Sequence, residues 1–245
     1  MSRRPRRNGI QAPKVAAMTH SIVHIGLHKT GTTSLQFFLK HHRETLRECG
    51  MAFYEGIHRD SNHVELHAYA MRLERTSTFR AKSKFVMDDA YRNAVEKHVI
   101  AFMDANRDRI KIFSAEGLSL LFHHDEVERL RSLIGGPIEI IVFLRDKKSY
   151  LASHANQFDH TGLYDRSDRH SFAYTGEDSW LIDYERRLAA FRAVLGKNNV
   201  HVLDYDQAVE RDGNVIPAFM NAIGLGEVFQ KEDWESIRKN VTARK

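Results

Sequence analysis

The chain reads as a single α/β domain, a mostly parallel central sheet of about five strands with helices on both faces. Three observations predict this. Short apolar, β-branched runs alternate with longer segments of helical period, the rhythm of parallel strands joined by right-handed crossovers. A glycine-rich turn, Gly26 to Gly31, links the first apolar run to the first amphipathic segment. The 245 residues, 42% hydrophobic and 10% aromatic, suffice for one large core.

Strand one is Ser21 to Leu27. The next helix runs from about Thr32 to Cys49, with Leu35, Phe38, Leu39, His42 and Leu46 on one face, and Gly50 stops it. Met51 to Tyr54 is a short second strand. Asn62 to Arg75 and Val86 to Asn106 are expected as helices, the latter with Met87, Ala90, Tyr91, Ala94, Val95, His98 and Phe102 as a core-facing stripe. Arg109 to Ser114 is strand three and Glu126 to Ile134 a helix, broken by Gly135-Gly136-Pro137 before strand four, Ile138 to Leu144. Helices follow over Lys147 to Phe158 and Ser179 to Leu195. Val200 to Leu203 is strand five, and Ile216 to Ile223 a short helix. In such sheets ligands sit beyond the carboxyl ends of the strands, so Gly26 to Lys29, Ser114 to Gly117, Arg145 and Asp204 to Asp206 should converge on one edge.

Net charge is +5, from 37 basic and 32 acidic residues. Arg3, Arg4, Arg6, Arg7 and Lys14 supply the whole excess, so the rest of the chain is balanced. Residues 1–19 are read as a basic, disordered arm and 20–245 as the folded domain. The arm gives at most a weak attraction to anionic membrane surfaces, and no specific nucleic-acid partner is expected. Met18 would serve as an alternative start. No apolar run is long enough to span a bilayer, the first twenty residues lack the apolar centre of a signal peptide, and the single Cys49 excludes an internal disulfide. These fit a cytoplasmic location.

The most informative stretch is Ile22 to Ser34. A strand enters a turn holding His28, Lys29, Thr30, Gly31, Thr32, Thr33 and Ser34, and a helix follows at once. Glycines let backbone approach an anion, the first amides of the helix face it, Lys29 adds a point charge, and the hydroxyls add donors. In a Walker A loop the lysine follows the second glycine; here it precedes it. The order His28-Lys29-Thr30-Gly31-Thr32-Thr33 resembles the phosphosulfate-binding loop of the sulfotransferases that use 3′-phosphoadenosine-5′-phosphosulfate (PAPS), in its bacterial, carbohydrate-type form. That family carries an arginine after a later strand and a serine eight residues on, both on the nucleotide's 3′-phosphate. Arg145, ending Ile138 to Leu144, and Ser153 match. A guanidinium fork suits a phosphate, while the plain alternative is Arg145 paired with Asp146 or Glu139.

The resemblance implies a P-loop nucleotide-binding fold and transfer of a sulfuryl group from PAPS to a hydroxyl, or an amine, of a carbohydrate or other metabolite. The product would be adenosine 3′,5′-bisphosphate (PAP), and no metal is required. Lys29 would stabilise the leaving group with the amides of residues 30 to 33, and Thr30, Gly31, Thr32, Thr33 and Ser34 would hold the cofactor. Glu116, in a Ser-x-Glu segment past strand three, would be the base; a helix cap or an arginine pair is its structural alternative, and His123 and His124 stand in reserve. His28 either touches sulfate or acceptor or is structural. Many relatives carry a tryptophan where Ser34 stands, so adenine needs another partner. Arg238-Lys239-Asn240 is similar to a basic loop that some members lay on the 3′-phosphate.

Asp159 to Asp178, with Tyr164, Arg166, Arg169, Phe172 and Tyr174, is long for a connection and is the candidate acceptor-side lid. His63 and His67 have the i, i+4 spacing of metal ligands but no evident third, so no metal site is assigned. The rival reading is a P-loop kinase acting on a small molecule, opposed by the lysine–glycine order and the lack of a clear Mg²⁺-holding aspartate.

Overall fold

The computed structural model describes residues 19–83, 86–158 and 165–242; all but the last residue of the basic arm lies outside them. Five parallel strands form one sheet. In chain order the elements are β1 (Ser21–Ile25), α1 (Thr32–His41), α2 (Arg43–Glu48), β2 (Met51–Phe53), α3 (Val64–Ala70), α4 (Thr78–Lys82), α5 (Asp89–Ala105) and β3 (Ile110–Ala115). A 3₁₀ turn over Glu116–Leu120 leads to α6 (His124–Ile134), β4 (Ile138–Leu144), α7 (Lys147–Phe158), α8 (Tyr184–Leu195), β5 (Val200–Asp204), α9 (Tyr205–Asp212), α10 (Ile216–Ala222) and α11 (Lys231–Thr242). Spatial order is β2-β3-β1-β4-β5, and Ser21 pairs with Lys111 on one side and Ile138 on the other.

Alternation along the strands builds two cores, one on each face. Val23, Ile25, Phe113, Ile140 and Val142 pack with residues of α3, α5, α6 and α8. Ile22, Ile112, Ile141 and Phe143 pack with residues of α1, α2 and α10. Each such fully buried side chain contributes about 1.5–3 kcal/mol.

Several helix boundaries differ from the sequence expectation. The helix expected over Thr32 to Cys49 breaks at His42, which leaves helical geometry (φ −104°, ψ 25°). The break seats Leu46 in the core and lets Arg43 donate to the carbonyl of Asp60 at 2.9 Å. The expected Asn62 to Arg75 helix holds only over α3, with α4 standing apart. The stripe assigned to α5 is rotated: its buried members are Val95 and Val99. Asp183 caps α8 by accepting from Arg186 N–H, which separates it from a short 3₁₀ turn at Trp180–Ile182. Arg238-Lys239-Asn240 lies within helix α11, not a loop.

Gly26 shows why the first turn needs glycine. A Cβ there would sit 2.6 Å from Thr32 Oγ1 and 2.7 Å from its methyl, and that β-branched side chain is fixed by its bond to Leu27 O. Gly26→Ala should therefore destabilise the fold by ~1–3 kcal/mol, read as a lower urea midpoint.

Candidate functional site

The chain leaving β1 crosses to the β2–β3 side, while the chain leaving β4 goes on to β5. The loops at their carboxyl ends therefore diverge and open a crevice, the usual ligand position in such sheets. Across it, Arg145 Nη1 donates to Lys29 O at 3.2 Å, so the two sequence-predicted anion elements touch.

The turn itself is built as a cradle. Lys29 has φ 64° and Gly31 φ 73°, so left-handed backbone flanks Thr30. Alternation of this kind turns amides toward one concavity. Lys29 is the one non-glycine residue with positive φ among the described residues, and strain of that sort gathers at functional positions. Thr30 Oγ1 donates to Leu27 O at 2.7 Å and Thr32 Oγ1 to the same carbonyl at 3.3 Å. Their hydroxyl hydrogens are therefore engaged inside the turn. Leu35 N–H makes the first helical bond, to Gly31 O, so the amides of Thr32, Thr33 and Ser34 precede the ladder of α1, whose first turn carries no acidic residue. Thr33 is exposed and Ser34 half-buried. Lys29 makes no ion pair among the described residues.

Arg145 is held loosely. Its Nε lies 3.8 Å from Asp206 Oδ1 without a hydrogen bond, and its guanidinium stands 5.0 Å from the Tyr205 ring centroid. Tyr184 Oη donates to Arg145 O at 2.9 Å, fixing the strand end while leaving the guanidinium able to turn. Ser153 is half-buried on α7. A hollow of about 230 Å³ lies beside Gly31 and Ser34, walled by Tyr205, Val215 and Trp234.

On the other side of Lys29, Glu116 opens the 3₁₀ turn after β3. Its carboxylate, 30% exposed, lies 3.7 Å from His28 Nε2, longer than a hydrogen bond. Burial pushes Glu116 up to about 7, against the opposing pull of Lys29 and Arg59. His28 is buried, and burial, reinforced by Arg187 and Lys29, lowers its pKa to about 3. It is thus neutral at ordinary pH, and the contact is not an ion pair. The His28 ring packs edge-on against Phe172 (centroids 4.7 Å) and His154 (5.8 Å).

Phe172 belongs to the segment read as a lid. Residues 159–164, Tyr164 included, lie outside the described residues. The remainder is tied down: His154 Nε2 bonds Phe172 O at 2.8 Å, Ser179 Oγ donates to Tyr174 O, and Tyr174 Oη donates to Asp178. His123 caps α6 in a reciprocal arrangement with Glu126. His63 Nδ1 accepts from Ser114 N–H, and His67 Nε2 bonds Ser77 Oγ. Burial lowers both to about 3, and among the described residues no cluster of three or more His, Cys, Asp or Glu could hold a metal. No helix there is long and apolar enough to cross a membrane.

Sequence reasoning missed Arg59, Arg187 and Trp234, and it placed Phe172 only in the lid segment and Tyr205 only within the Asp204 to Asp206 strand end.

No family model matches the sequence, and no curated protein matches it. Among solved structures the chain is similar to a sulfotransferase from Alicyclobacillus acidocaldarius, with a TM-score of 0.53 and 15% identity over 94% of this chain and 91% of that one. Nearly the whole length of each chain is matched, so the likeness is one of overall fold.

Proposed function

We propose that the protein is a PAPS-dependent sulfotransferase acting on a hydroxyl, or an amine, of a carbohydrate or other metabolite. The observation that carries this reading is the contact between the Lys29 turn and Arg145: two cationic elements, neither firmly neutralised, at adjoining strand tips. A nucleotide bearing phosphate at both 3′ and 5′ positions needs such a pair. Arg145, with Ser153, would bind the 3′-phosphate. The amides of residues 30 to 33, with Lys29, would bind the 5′ end. The hollow beside Ser34 suits the base, with Trp234 and Tyr205 in place of a loop tryptophan. Bound PAPS supplies an electrophilic sulfuryl group on a phosphate leaving group. Glu116 then takes the acceptor's proton, and Lys29 faces the negative charge left on the phosphate. His28, neutral and packed, orients Glu116's surroundings without carrying the proton.

Calorimetry with PAP against ATP–Mg²⁺ tests the assignment. Tight binding of PAP with none of ATP–Mg²⁺ supports it; the reverse favours a P-loop kinase. Arg145→Ala should weaken PAP by about tenfold or more while leaving AMP nearly unchanged, since one charge-assisted pair is worth roughly 1.5–3 kcal/mol. Equal losses for both nucleotides would remove Arg145 from the 3′-phosphate. Trp234→Ala should cost ~1–3 kcal/mol of PAP affinity if the indole stacks on the base, and should spare binding of pyrophosphate.

A further inference from the structure

Arg187, on α8, is 3% exposed. Its Nη1 donates to Leu181 O at 2.7 Å and its Nη2 to Ser119 O at 2.8 Å, while Nε has no partner. It makes no ion pair among the described residues. A guanidinium does not shed its proton in a protein, and an unpaired buried charge is costly. Arg75 shows the ordinary solution nearby, its guanidinium bound to the buried carboxylate of Glu126. Arg187 has no such counterpart.

The side chain lines a hollow of about 370 Å³ walled by Phe122 and Trp180, whose centroids lie 5.4 Å apart. Trp180 Nε1 is also buried without a hydrogen-bond partner. Exposed Arg186 stands over Phe122, and His123 and His170 complete the lining. Glu74 is the acidic residue of this wall. Arg186 and Arg187 therefore outweigh it, Arg75 being neutralised. An adjoining hollow of about 380 Å³ shares Arg75, His170 and Trp180, and its wall includes Phe172, the ring packed on His28. This second hollow also carries Asp165 and Asp168, which accept bonds from Ser167 and from His170 N–H, so the excess of positive charge lies in the first.

We propose that these adjoining hollows form the acceptor site and that the first of them, walled by Arg186 and Arg187, selects a sugar ring carrying an anionic group, carboxylate or sulfate, which gives Arg187 its countercharge. The proposal rests on the sulfotransferase reading for the word acceptor, but the preference for an anionic ring is measurable without it. Calorimetry on the full chain, with and without PAP, would compare methyl β-D-glucuronoside, glucose 6-sulfate, methyl β-D-glucoside and inorganic sulfate. At least one anionic sugar should bind about tenfold or more tighter than the neutral glucoside and tighter than inorganic sulfate. Arg187→Gln should abolish the preference and Arg186→Ala reduce it, both with PAP affinity unchanged. Arg186 is exposed, so its variant decides the matter even if Arg187→Gln does not fold. Equal binding of charged and neutral sugars, no binding of either, or inorganic sulfate matching the sugars overturns the proposal. So does a preference that survives Arg186→Ala undiminished. Failure of PAP alone to bind strikes the sulfotransferase reading instead, and the sugar comparison without nucleotide still decides this one.

Discussion

Glu116→Gln is expected to lower sulfuryl transfer by on the order of 10²–10⁴ and to erase the rising limb of the pH–rate profile. The carboxyl titrates near 7 because burial disfavours its charge. A base must be ionised to act, so the wild-type rate should climb with pH up to about 7 and then level. His28 cannot produce that limb, since it is held neutral with a pKa near 3. Stability moves the other way. Between the ordinary value of 4.5 and about 7 the folded carboxyl keeps a proton that the unfolded chain releases, so stability falls as pH rises through that window. Glutamine removes this slope, which urea melts at pH 5 and pH 8 would read. A glutamine variant with full turnover, or with the limb intact, would dismiss Glu116 as the base.

Lys29→Ala should cost on the order of 10²–10³ in turnover, the usual scale for losing one donor to developing negative charge. The fold should hardly notice. Lys29 is half-buried and without an ion pair among the described residues, the bond from Arg145 goes to its backbone carbonyl, and alanine meets the same left-handed strain at φ 64°. Arginine should rescue poorly, because its planar fork does not reproduce a compact point charge at the end of a flexible stem. The discriminating measurement is a single-turnover assay: the loss should fall on the chemical step, with acceptor affinity kept. A loss confined to acceptor KM would place Lys29 on the wrong side of the reaction.

Much of this site was legible from local chemistry. Gly26 to Ser34 announces an anion cradle because left-handed turns, close backbone approach and a helix N-terminus each demand particular residues in fixed order. Arg145 and Glu116 were singled out by the family resemblance, and the structure brings the Arg145 side chain onto the carbonyl of Lys29. The helix boundaries were less legible. α1 breaks at His42 because the core needs Leu46 and Asp60 holds Arg43, and neither partner is a neighbour in sequence.

By itself, then, the sequence determined the parallel sheet and the glycine–lysine turn between β1 and α1, both consequences of short-range pattern. Only the tertiary structure decided that Phe172 would bury against His28, that Trp234 would wall the hollow beside Ser34, and that Arg187 would line a hollow without a countercharge among the described residues. Those facts depend on which distant segments share a strand edge. Burial and the pKa shifts it causes belong to that packing, so they cannot be read from residue order alone.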